Sequence, residues 1–387
     1  YTDSVGPVVL GVPFDRGRVL LFIDPLAVEG LAINLTQGKG SAQGSFKLAT
    51  EPVSANWTGL DVDATSEIDP APLGKLLPED GAAAIAAFAF DRPPSASVRG
   101  HFDGANEAGD HHKKLHVEVR SGSGLRIHGV AFDKAAFKVD LNDDDVDVTD
   151  IDAGFAGGTV TGTANLSGNG AARRVKFKAS LAGASLGLAA EAAEGYVASN
   201  PAGSSTALET FARDKSGVRL DLNASATGRA GDLSSFTGEG NFQVQGNQLG
   251  ELTLLGGLSK VLKFSDLRFT QARAEFKIEN SLLVFPELSV LGANSAIKAK
   301  GTYSIDRRLL DFTASIYPFQ ESKSILQIFN ALSSPISAIF RVKLGGSIDN
   351  PTWNLAYSPL NLLRDGDQKA GPADRPAAPS PLANPPP

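Results

Sequence analysis

Period-two alternation, broken again and again by Gly, Asn, Asp and Ser, constrains this chain more than any other feature. In Gln271–Glu279 the residues Ala272, Ala274, Phe276 and Ile278 point one way, while Arg273, Glu275, Lys277 and Glu279 point the other. Arg174–Leu181 repeats the pattern, with Val175, Phe177, Ala179 and Leu181 against Arg174, Lys176, Lys178 and Ser180. Ile297, Ala299 and Tyr303 alternate with Lys298, Lys300 and Thr302, and Leu310, Phe312, Ala314 and Ile316 alternate with Asp311, Thr313 and Ser315. Glu279-Asn280-Ser281, Gly292-Ala293-Asn294 and Asp306-Arg307-Arg308 supply turns between these runs. Such a chain predicts antiparallel strands with one apolar and one polar face, in a mainly β fold.

The same grammar extends to the N-terminus. Val8–Val12, Val19–Ile23, Leu31–Leu35, Gly44–Ala49 and Asn56–Leu60 read as strands, followed by a helical insertion near 73–90 that Arg92-Pro93-Pro94 stops. Leu115–Arg120 and Leu125–Val130 predict a hairpin around Ser121–Gly124, placing Glu118 across from Arg126 and His116 across from His128. Residues 136–166 give three strands, broken near Asp143 and at Gly157-Gly158. Ser185–Ala193 and Thr206–Asp214 are further helix candidates. Gln248–Leu262 and Ser322–Ser333 carry apolar residues at helical spacing and predict amphipathic helices. The Pro- and Ala-rich stretch 358–387 cannot bury a core and predicts a disordered tail.

Composition narrows the function classes. The chain has 387 residues, a net charge of −7 and basic residues spread along its length, which argues against a nucleic-acid partner. It contains no cysteine, so disulfides and thiolate metal sites are excluded. It also contains no Met, even at position 1, where ordinary usage predicts roughly eight in a chain of this size; the sequence is expected to start inside a longer protein. No run approaches the ~18 apolar residues of a membrane span.

One region carries a resemblance. The order Gly238-Glu239-Gly240 strand, leucine-rich helix, Phe-Ser-Asp-Leu-Arg-Phe (264–269), Gly-Thr-Tyr-Ser-Ile-Asp (301–306) and Gly-Gly-Ser-Ile-Asp-Asn-Pro-Thr-Trp (345–353) resembles the C-terminal region of AsmA/TamB-type envelope proteins of diderm bacteria. The likeness covers residues 232–357, with β-rich groove repeats expected over 1–231. It implies an elongated antiparallel meander curled into a groove (β-taco-like) with a few amphipathic helices. It further implies a periplasmic, non-enzymatic phospholipid-binding and transport function in outer-membrane biogenesis. The expected partners are phospholipid and the inner and outer membranes or their envelope proteins. An N-terminal inner-membrane anchor is expected upstream.

Catalytic and metal chemistry find little purchase. All five histidines, His101, His111, His112, His116 and His128, fall within 28 positions. The hairpin register brings His116 and His128 together as weak metal candidates, with Asp110 or His112 as a third ligand, against the plainer reading of a solvated β face. Asp143-Asp144-Asp145-Val146-Asp147 opens like a calcium loop but has Val148 at the sixth position and Gly154 at the twelfth, so a charged turn is the better reading. Asp140 and Asp147 are the carboxylates to consider for glycoside chemistry, though no cleft selects them. No nucleophile elbow or P-loop is present, and no enzyme activity, resident metal or cofactor is expected.

The apolar faces need covering. Either two sheets close over each other as a sandwich, giving a structural or adhesive protein, or one sheet curls into a trough open to acyl chains. A metal- or carbohydrate-binding module is the remaining alternative. The resemblance favours the trough, with Leu267, Phe269, Phe276, Ile278, Val284, Leu288, Val290, Ile297, Phe312 and Ile316 as lining residues.

Overall fold

The computed structural model describes residues 1–9, 11–51, 57–76, 79–104, 112–199, 217–247, 249, 269–293, 295–318, 340–347 and 350–357. Several expectations lie outside these residues: the amphipathic helices Gln248–Leu262 (apart from Leu249) and Ser322–Ser333, the Thr206–Asp214 helix, the 358–387 tail, Leu267, Asp110 and His111.

The chain forms an elongated, mainly β structure built on one antiparallel sheet of 19 strands that does not close into a barrel. Thr2–Val5 pairs with Arg16–Asp24, which pairs with Ala27–Gln37, and the order continues along the sequence to Pro351–Tyr357. Several neighbouring strands are joined by two-residue turns. Asn280 and Ser281 both have positive φ (50° and 61°) between Glu279 and Leu282, as a hairpin turn that follows strand twist requires. Ala156 and Gly157 (52° and 74°) do the same between Phe155 and Gly158. The three strands expected over 136–166 are Lys134–Asn142, Asp145–Phe155 and Gly158–Ser167. Arg219–Arg229 and Asp232–Gln245 pair through a turn at Ala230-Gly231, so the sheet runs unbroken across the 231/232 boundary.

Two of the longer connections meet. The segment between Trp57–Ser66 and Ser95–Asp103 holds a 3₁₀ turn (Ala71–Leu76), a helix (Glu79–Ala86) and the strand Phe88–Phe90. The segment after Lys113–Ser121 holds Leu125–Ile127 and Val130–Phe132. These three short strands form a separate sheet. The hairpin expected between Leu115–Arg120 and Leu125–Val130 is therefore overturned. Lys113–Ser121 instead lies between Ser95–Asp103 and Lys134–Asn142, each in register over eight residues, where Leu125–Ile127 offers only three. Phe88–Phe90 leaves the expected helix because alternation puts both rings on one side, stacked 6.0 Å apart, with Phe88 also 6.0 Å from Phe137 of the large sheet. The candidate at Ser185 is a helix over Leu186–Ser199, opened by the Ser185 hydroxyl accepting from Leu188 N–H.

Burial is uneven along the sheet. Near the C-terminal end Leu249, Phe269, Val290, Ile297, Ile316 and Val342 form a sealed cluster, and Phe276, Phe285, Phe312 and Leu344 form a second. The small sheet caps the large one at Leu125, Ala135 and Ala153. Val12, Phe14 and Ile68 close a smaller patch over Leu35 and Ala42 near the N-terminus. Much of the remaining apolar face is only half-buried.

Candidate functional site: an apolar groove

Cross-strand registers turn the alternation into a surface. One row of directly opposed residues starts at Val19 and passes through Ile33, Gly44, Ala64, Val98, Val117, Val139 and Val148. It continues through Ala164, Phe177, Ala226, Gly238, Ile278, Leu283 and Tyr303 to Leu310. No charged side chain interrupts it. These fifteen cross-strand steps, at ~4.8 Å each, trace a path of roughly 70 Å along the curve of the sheet. The row on the opposite face reads Ser45, Asp63, Arg99, His116, Asp140, Asp147, Asn165 and Lys176. From Ser45 to Lys176 the sheet is thus a one-sided amphiphile.

Glycines keep the apolar floor low. Phe46 faces Gly30, Phe276 faces Gly240 and Phe312 faces Gly301, and in each pair the ring occupies the space a Cβ would need. Leu115 fills the corresponding place over Gly100. A side chain that lies across its neighbour buries its own area without standing up into the groove.

The expected lining residues divide into distinct groups. Phe269, Val290, Ile297 and Ile316 belong to the first sealed cluster and Phe276 and Phe312 to the second, with Leu288 and Ile278 packed against them. They sit on the groove face but in its closed part. Val284 is a correction: it pairs with Lys277 and Thr302 and lies on the polar face. A bulge between Phe285 and Leu288, at Pro286, shifts the parity and gives the groove face to Leu283 and Phe285 instead. Pro286 was the available signal, since proline cannot donate to a ladder. The half-open part is lined by residues such as Phe46, Val62, Leu115, Val117, Val139 and Phe177, whose alternation marks the face without marking its accessibility.

The polar face holds the histidines. The His116–His128 pairing is overturned, because His116 lies between Arg99 and Asp140 while His128 sits in the turn of the small sheet at φ 49°. His101 places Nδ1 2.6 Å from Asp61 Oδ1 and Nε2 2.9 Å from Asp103 Oδ1. His116 places Nδ1 2.6 Å from Asp140 Oδ1 and Nε2 3.5 Å from Glu118 Oε1. Hydrogen bonds to Asp61 and then Asp103 raise the His101 pKa, and bonds to Asp140 and then Glu118 raise that of His116. Among the described residues no three His, Asp or Glu side chains converge as a metal site.

Asp140 and Asp147 are directly opposed across neighbouring strands, yet both lie exposed on the polar face. Asp140 holds His116, and Asp147 accepts from Asn165 Nδ2 at 2.8 Å. The acidic turn is a structural device: Asp143, at φ 56°, accepts from Lys113 N–H at 3.0 Å, and that bond followed by the one to His112 lowers its pKa. Asp145 accepts from Gly168 N–H at 3.1 Å. No helix among the described residues is long and apolar enough to cross a membrane. Comparison of the chain with protein-family models, with curated proteins and with solved structures finds no match.

Proposed function

We propose that the chain is a non-enzymatic groove that binds phospholipid and lets it slide between the two membranes of a bacterial envelope, as the AsmA/TamB resemblance implies. The observation that carries this reading is the uninterrupted apolar row on a face left half-buried over much of its length. Acyl chains laid on that face lose contact with water at ~0.8 kcal/mol per buried CH₂, while headgroups stay in solvent. Many similar weak contacts favour sliding over tight capture, which suits a floor of Val, Ala, Gly and Phe without polar anchors. The reading places the protein in the periplasm, held at the inner membrane by an upstream segment and working with envelope partners.

Native mass spectrometry with lipid extraction tests it. The purified chain is expected to carry phospholipid, and Val117→Asp with Phe177→Asp is expected to lose it while keeping the β circular-dichroism signal. A lipid-free protein that also refuses added phospholipid would show that the apolar face serves only to pack the fold.

A further inference from the structure

We infer that the hairpin tip at Ile23–Leu26, flanked by Trp57, is a membrane-contact site that seats one end of the groove in the surface of a zwitterionic bilayer. Of the fifteen large apolar residues exposed among the described residues, eleven fall within residues 1–57; the other four are scattered singly. The densest group is on one hairpin, Arg16–Asp24 with Ala27–Gln37: Phe22 is 54% exposed, Ile23 69% and Leu26 55%.

Both faces of the tip carry exposed apolar side chains. Leu21 and Ile23 oppose Gly30 and Val28 on the groove side, and continue its floor. Leu20 and Phe22 oppose Ala32 and Glu29 on the other side, which is polar from Ser45 to Lys176. A docked protein or a second copy would cover one face and leave the other wet. A medium of acyl chains covers both, and it meets the groove floor where that floor runs out.

The rim has the further features of an interfacial site. Thr50 N–H donates to Leu26 C=O at 2.8 Å and Thr50 opposes Trp57, so Trp57 stands on the same edge, 41% exposed. Tryptophan favours the level of lipid headgroups. The turn amides are satisfied from within, since Asp24 Oδ1 accepts from Leu26 N–H at 2.7 Å and Ala27 N–H at 2.9 Å. The Asp24 charge holds the tip at headgroup depth instead of letting it enter the hydrocarbon. Arg16 and Arg18 are held by Asp3, and Lys47 by Glu29, so these cations are already engaged and anionic lipid is not required.

The significance of this site rests on the lipid-groove reading, and the test separates the two. The chain has no cysteine, so Ile23→Cys and, as a polar-face control, Lys176→Cys each accept one environment-sensitive fluorophore. With phosphatidylcholine vesicles the label at 23 is expected to shift blue and to be quenched by nitroxide on the acyl chains, independently of salt, while the label at 176 does neither. Phe22→Asp with Leu26→Asp is expected to weaken vesicle flotation by about tenfold or more. Uptake of short-chain fluorescent phosphatidylcholine from vesicle-free solution reads the groove separately and is expected to survive that change. A label at 23 that stays aqueous overturns the inference whatever the groove does. So does a label already buried without vesicles in a protein of doubled mass, because a second copy would then be the occupant.

Discussion

Gly30 lies directly opposite Phe46, and the ring takes the space that a side chain at position 30 would fill. Adding one there forces the ring upright into the groove. Gly30→Val is expected to destabilise the fold by about 1–3 kcal/mol. Phe46→Leu in the same chain should recover part of the loss, because the neighbours of the missing Cβ are the side chains of Phe46 and Ile33. Thermal and urea unfolding of the single and double variants measure the coupling; strict additivity would show that the pair does not interact.

Burial differs along one face, so the same substitution should have unequal effects. Ile297 is 2% exposed in the sealed cluster, and Ile297→Ala is expected to cost about 2–5 kcal/mol. Val117, half-buried in the open part, should cost less than about 1.5 kcal/mol on the same change. Equal losses in urea titrations would mean that the groove is closed throughout.

His101 and His116 each set both ring nitrogens against carboxylates, an arrangement that favours the imidazolium form because a neutral ring has only one N–H to give. Lys114 stands opposite His101 and Arg99 opposite His116, and both oppose that charge. With folded pKa values raised, the contribution to stability is complete below the ordinary histidine pKa and is lost as pH rises through the folded values. The stability gap between the wild type and His101→Gln should therefore be largest on the acid side and shrink above neutrality. The imidazole resonances of His101 and His116 followed by NMR should titrate above the free-histidine range; titration below it would contradict the geometry.

The small sheet is held to the large one by aromatic contacts, Phe88 on Phe137 at 6.0 Å and Phe132 on Phe155 at 5.4 Å. Phe88→Ala is expected to cost about 3 kcal/mol and to act locally. Hydrogen exchange should speed at Phe88–Phe90 and Leu125–Phe132 while Arg219–Arg229 keeps its protection. Uniform acceleration across the chain would show that the two sheets unfold as one.

Much of this fold was legible from alternation and turn chemistry. Asp143 and Gly157 end strands where their residue types say they should, and Val175 to Leu181 face inward as their spacing requires. Pairing partners were less legible. Val117 meets Val98 and Val139, not the nearer Ile127, because an insertion whose strands are too short to compete sits between. Val284 shows how one bulge defeats a period-two reading beyond it. The sealed and open parts of the groove share the same alternation, since a period reports which way a side chain points and not what stands in front of it.

Each long strand pairs with its neighbour in the large sheet's chain order, from Arg16–Asp24 to Pro351–Tyr357, and many of these pairings close only a short turn. Stability in such an array approaches a sum of terms between adjacent units, and ordering can begin at any hairpin and zip outward in both directions. The length of the sheet is then a number that can be edited: deleting a matched pair of central strands should shorten it by ~10 Å and leave a folded protein.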